Sequence, residues 1–270
     1  MACEKQYPPL AHTACGSPGR PALVFLHGFL GSSEDWRDVT DALSDRFYCI
    51  AIDLPGHGRS VGRGPSAAYL FHVAIEGVAG VMQELGLRDA TLVGYSMGGR
   101  VALALALWKK SPLVKAVIAE SASVGIEVES ERAARRIRDA GLSVELEDVP
   151  LLEFLRTWYA QPLFASLSGC PDALESLLER RLNNDGGELA KALHGMSAGV
   201  QPSLWDRLKS ASVDLTFIAG GSDEKYKALA GRMAAASSRG KSVVVPGGGH
   251  YVHLEQPDAF CRIVRDRAVT

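Results

Sequence analysis

The sequence predicts an α/β fold: a mainly parallel sheet with helices on both faces and a helical cap inserted past its middle. Three observations carry that prediction. Short apolar, β-branched runs alternate with longer helical patterns, which is how parallel strands and their crossover helices read in sequence. One stretch, from about Gly125 to Trp205, breaks the alternation, being charged and helical in pattern with no buried-strand run. A glycine-flanked serine, Ser96, sits where an apolar run turns directly into a helical pattern. At 270 residues, 47% of them hydrophobic, one large domain with an insertion can bury a sizeable core.

Taken in order, residues 1–20 hold Pro8, Pro9 and several polar residues, with no basic start or apolar stretch, so they predict a loose lead-in and no secretory leader. Strands are predicted at Ala22–Leu26, Tyr48–Asp53, Ala90–Gly94, Val114–Ala119, Leu215–Ala219 and Ser242–Val245. Helices are predicted at Asp35–Leu43, Ala68–Leu85, Gly98–Trp108, Lys225–Ala236 and Pro257–Arg267. Within the insertion, Pro150, Pro162, Pro202 and the turn residues 183–187 predict several short helices and no long one. Residues 1–124 and 206–270 thus form the core, and 125–205 the cap.

Charge and cysteine usage exclude several function classes. A net charge of -2 offers no field for nucleic acid or an anionic membrane, and no apolar run is long enough to span a bilayer. The five cysteines, Cys3, Cys15, Cys49, Cys170 and Cys261, are scattered without metal-ligand spacing, which predicts a reduced compartment, with Cys49 a buried hydrophobe. Neither histidines nor carboxylates show metal-binding helical spacing, so no metal or other cofactor is predicted. The expected setting is cytoplasmic or an organelle lumen such as plastid or peroxisome, not secreted.

Ser96 lies in Gly94-Tyr95-Ser96-Met97-Gly98-Gly99, directly after one predicted strand and before a helix. Such a turn presents the hydroxyl above the sheet and aims the Met97 N–H and the helix N-terminus at an oxyanion beside it. Alone the motif is weak, since a tight strand-to-helix turn can hold an ordinary serine. Its partners raise it. His27-Gly28-Phe29 follows a strand where a second oxyanion donor belongs, with Phe29 N–H the candidate. Asp223 and His250 each follow a later strand through glycines, and the order Ser, Asp, His suits strand ends gathered on one sheet edge. His250 is the expected base and Asp223 its orienting carboxylate. His57 reads as structural and His253 as a residue of the cavity entrance. Arg100, four residues after Ser96, falls about 40° around the helix and one turn along. It is placed either for an anion or for solvent.

These residues, with Asp53-Leu54-Pro55-Gly56-His57-Gly58-Arg59-Ser60, resemble the α/β hydrolases over essentially the whole chain. A narrower resemblance is to the 2-succinyl-6-hydroxy-2,4-cyclohexadiene-1-carboxylate synthases of menaquinone and phylloquinone biosynthesis. It rests on residues 94–100, 131–135, 158–167, 181–186, 201–204 and 221–226. The sequence departs from it at Ser121–Gly125, which lacks a His-Pro-Gly step, and at Tyr251, where asparagine is frequent. That family is made of lyases that expel pyruvate from an enolpyruvyl-bearing cyclohexene, using a Ser-His-Asp set to abstract a proton. The resemblance implies Arg100, Arg135 and Arg181 as carboxylate binders, Tyr95 and Trp158 as pocket walls, and a small tricarboxylate substrate. Without it, Arg135 and Arg181 read as parts of charged helical faces, and Trp158 as cap core. An ester or carbon–carbon bond hydrolase, and a small-molecule receptor that keeps the three residues, remain the rivals, and protein partners stay unknown.

Overall fold

The computed structural model describes residues 9–62, 64–169 and 171–268. Its frame is a seven-stranded sheet: β1 (His12–Cys15), β2 (Ala22–Leu26), β3 (Tyr48–Ile52), β4 (Ala90–Tyr95), β5 (Val114–Glu120), β6 (Asp214–Gly220) and β7 (Gly240–Val245). The order across the sheet is β1-β3-β2-β4-β5-β6-β7. Every neighbouring pair is parallel except β1 with β3. The central strands are apolar on both faces because helices cover both. In β2, Leu23 and Phe25 join one core cluster and Val24 and Leu26 the other, following the two-residue strand period.

Strand β1 falls inside the stretch read as a loose lead-in. Its four residues carry only Cys15 as a packing side chain and owe their conformation to backbone pairing with β3, which no local pattern announces. Cys3 and Cys170 lie outside the described residues.

Helices α1 (Arg37–Leu43), α2 (Phe71–Glu84) and α3 (Met97–Leu107) connect the first strands; 3-10 turns at Ser33–Trp36 and Ser66–Tyr69 start the first two. Between β5 and β6 the described residues are all helical or irregular: α4 (Glu129–Asp148), α5 (Leu151–Tyr159), a 3-10 stretch at Pro162–Gly169, α6 (Pro171–Arg181), α7 (Gly186–Gly195) and α8 (Trp205–Leu208). The first of these, at 20 residues, is longer than the expected short pieces. Pro150 ends it, and nothing between Glu129 and Asp148 breaks it. Helices α9 (Glu224–Ala236), α10 (Val252–Glu255) and α11 (Pro257–Ala268) complete the fold. Phe154, Leu155 and Leu189 of the inserted helices pack into the same cluster as Phe25 and Trp36. The insertion is therefore seated on the sheet domain by apolar burial.

Candidate active site

The turn after β4 is built for close approach. A Cβ at Gly94 would stand 2.6 Å from the Gly98 carbonyl, and one at Gly98 would meet the Leu26 carbonyl oxygen at 2.2 Å, so strand and helix touch backbone to backbone. Between them Ser96 takes φ 48° and ψ -105°, a conformation costly for a residue with a Cβ. Its N–H donates to the Glu120 carbonyl on β5 at 2.8 Å, which ties the turn to the next strand. Met97 opens α3, where no carbonyl one turn earlier can take its N–H.

Asp223 is the N-cap of α9, its Oδ1 accepting the Tyr226 N–H at 3.1 Å. The other oxygen, Oδ2, lies 2.7 Å from His250 Nδ1. A carboxylate only accepts, so Nδ1 carries a proton toward Asp223, which leaves Nε2 for the other side of the ring. Both residues are buried. The His250 ring is held on three sides, by Tyr226 at 4.8 Å, Tyr95 at 5.5 Å and Phe164 at 5.7 Å between centroids. Glu255 fixes the loop itself, accepting the N–H groups of Gly249 and Tyr251.

Two buried histidines fix the loop carrying Phe29. His27 donates from Nδ1 to the Gly28 carbonyl and accepts the Leu54 N–H at Nε2. His57 donates from Nδ1 to the Pro55 carbonyl and accepts the Leu30 N–H. Each needs one bare and one protonated nitrogen, and burial pushes both below the ordinary histidine value, keeping them neutral. His253 is not at the entrance: it is buried, donates to Glu120 and stacks on Trp36 with centroids 4.1 Å apart.

A cavity of about 1130 Å³ lies over Ser96, between sheet and cap, and every residue proposed from sequence borders it except Arg181. Arg100 donates to the Met196 carbonyl at 2.7 Å and more weakly to the Gln201 side chain, both neutral acceptors. Burial, with Arg135 adding its repulsion, pushes the Arg100 guanidinium down to about 10. Arg135 is oriented by Asp139, whose two oxygens each lie 2.8 Å from its Nε. Trp158 serves as cap core and cavity wall at once, packing edge-on against Phe29 at 5.2 Å.

Arg181 requires a correction. Its side chain is 1% exposed, and its guanidinium grips Asp35 through two hydrogen bonds of 2.6 and 2.7 Å. Two further donors go to the hydroxyl oxygens of Tyr159 and Tyr251, two residues that themselves border the cavity. With four of its five N–H groups on protein partners, Arg181 stands behind the wall and not in it.

Tyr226 was missed in the sequence. It borders the cavity, caps the His250 ring and feels the charges of Arg135 and Arg100, which offset part of the upward push that burial exerts on its phenol. An Asp before a helical pattern is an N-cap signal, and the residue three positions on is the one whose N–H it takes; that rule points to Tyr226. Arg138, held by Gln161, and Lys225 border the same side.

Comparison with known proteins gives a consistent result. A model described as the alpha/beta hydrolase family matches residues 23–263. The 2-succinyl-6-hydroxy-2,4-cyclohexadiene-1-carboxylate synthase of Escherichia fergusonii is 34% identical over 249 residues, 90% of this chain and 91% of that protein. Protein PHYLLO, chloroplastic, of Arabidopsis thaliana is 33% identical over 248 residues, which is 87% of this chain but 14% of that much longer protein. Among solved structures, MenH from S. aureus superposes with a TM-score of 0.89 at 31% identity, covering 94% of this chain and 96% of that one.

Proposed function

The chain belongs to the alpha/beta hydrolase family, and from that premise we propose that it is a carbon–oxygen lyase of the 2-succinyl-6-hydroxy-2,4-cyclohexadiene-1-carboxylate synthase type. The substrate is 2-succinyl-5-enolpyruvyl-6-hydroxy-3-cyclohexene-1-carboxylate, and the products are the cyclohexadiene and pyruvate. The observation that carries this reading is Arg100: a half-buried guanidinium with neutral acceptors, bordering the same cavity as Ser96 and His250. A partly desolvated cation held by neutral groups favours an anion, and an apolar ester would supply none.

In the proposed mechanism, His250 Nε2 takes the Ser96 proton while Asp223 holds the imidazole orientation. The Ser96 oxygen then removes the ring proton α to the succinyl ketone. Electrons move from the resulting enolate through the ring double bond and break the bond to the enolpyruvyl oxygen, whose enol becomes pyruvate on protonation. The Phe29 and Met97 N–H groups are proposed to bind the enolate oxygen, stabilising charge as it develops. Arg100 and Arg135 are proposed to take substrate carboxylates. The buried Arg181, neutralised by Asp35, holds the Tyr159 and Tyr251 hydroxyls in the cavity wall without touching the ligand.

The test is pyruvate release from the cyclohexene substrate without added metal, with Ser96→Ala and His250→Ala each lowering kcat by about 100-fold or more. Elimination requires neither an acyl-enzyme nor an attacking water. Fast aryl-ester turnover through a trapped acyl-Ser96, with no pyruvate formed, would overturn the lyase reading in favour of a hydrolase. Tight binding of the cyclohexene acid without turnover would favour a receptor.

A further inference from the structure

We propose that Cys15 and Cys49 form a covalent modification site, a cross-strand dithiol that small disulfides of the glutathione class convert to an intrachain disulfide. The argument begins with register. Cys15 stands directly opposite Cys49 in the antiparallel pairing of β1 with β3. Opposed residues point to the same face of a sheet, with Cβ atoms about 4.5–5.5 Å apart.

The type of pair follows from a neighbouring bond. Asp53 N–H donates to the Ala11 carbonyl at 2.9 Å, one step beyond the His12 to Ile52 pairing, which makes Ala11 and Asp53 a hydrogen-bonded pair. Hydrogen-bonded and non-hydrogen-bonded pairs alternate along an antiparallel ladder. Counting from Ala11, Cys15 and Cys49 are again a hydrogen-bonded pair, for which the Cα separation is about 5.5 Å. That lies within the window a disulfide accepts. The side chains already interact as thiols, and both are free. Strand β1 is an edge strand with β3 as its one neighbour, so it can yield the small inward movement a bond requires.

The two thiols divide the chemistry. Cys15 is half-buried and reachable, whereas Cys49 is buried, and burial with the neighbouring Cys15 thiol pushes it up to about 12. The Cys15 thiolate attacks one sulfur of glutathione disulfide and expels a glutathione thiolate. The Cys49 thiolate then attacks the Cys15 sulfur and expels the second. Two cysteine thiols are oxidised to one disulfide, and the glutathione disulfide is reduced to two thiols. Because Cys49 is rarely ionised near neutrality, the second step is slow there and quickens as pH rises. Cys49 is the second residue of β3, at the end of the sheet remote from the strand C-termini where Ser96 and His250 lie, so closure leaves the cavity intact.

The experiment incubates the whole protein with glutathione disulfide at pH 7 and pH 9, blocks remaining thiols and maps linkages by mass spectrometry without reduction. The expected product is a Cys15–Cys49 peptide that forms faster at pH 9. It should disappear in Cys15→Ser, the milder substitution because that side chain is half-buried, and in Cys49→Ala. The oxidised protein should melt about 5 °C higher, the gain vanishing on reduction. Glutathione remaining on Cys15 without closure at pH 9 would overturn the proposal. A linkage mapping to Cys261 or to any other cysteine would do the same.

Discussion

Arg100 concentrates the electrostatic demand of the cavity in one side chain, so its removal should be felt in binding first. Arg100→Ala is expected to raise KM for the tricarboxylate by about tenfold or more, the loss of one charge-assisted contact, as steady-state kinetics would show. Tyr226→Phe keeps the ring against His250 and the backbone bond to Asp223 but removes the hydroxyl near the two arginines; KM should rise a few-fold with kcat within about twofold. Unchanged kinetics would reduce Tyr226 to a packing residue. The place of Arg100 beside the cavity was legible because one helical turn separates it from Ser96. Arg181 was misread because a guanidinium looks the same in sequence whether its carboxylate is a ligand or Asp35, 146 positions away.

At the level of elements, the turn from β4 into α3 has the least tolerance. Gly98→Ala would drive a Cβ against the Leu26 backbone, which cannot rotate aside, and should cost about 3 kcal/mol or more in denaturant unfolding. A near-neutral result would mean that α3 can slide on the sheet. The central parallel strands were readable because each is an apolar run covered on both faces, and the exposed edge strand β7 because of its β-branched run at residues 243–245. Strand β1 was not, since its pairing with β3 leaves no apolar signature of its own. In the cap, prolines marked helix ends correctly, but Gly141 within α4 did not interrupt it; no neighbouring atom lies within 4 Å of where its Cβ would be, so the helix continues over open space.

Across the whole molecule, the Asp35–Arg181 pair joins cap to core. Burial alone would raise Asp35, but Arg181 outweighs it and holds the carboxyl below its ordinary value. The sign follows: this stabilisation is fully present above the ordinary carboxylate value and is lost as pH falls through the lowered one. Asp35→Asn strands a buried guanidinium and should cost about 3–5 kcal/mol at neutral pH, with less difference from wild type in acid. A second tie lies at Glu188 of α7, which accepts from the Tyr69 hydroxyl and the Gly62 N–H of the core. On the side between the start of α4 and α9, the ion pair of Glu127 with Arg232 forms a bridge, both side chains largely exposed and their attraction weakened by salt. Traffic with solvent is thereby given a direction. A roof held by buried ties on two sides and by an exposed ion pair on the third has one clasp that salt can loosen, so exchange between the cavity and solvent should quicken as ionic strength rises.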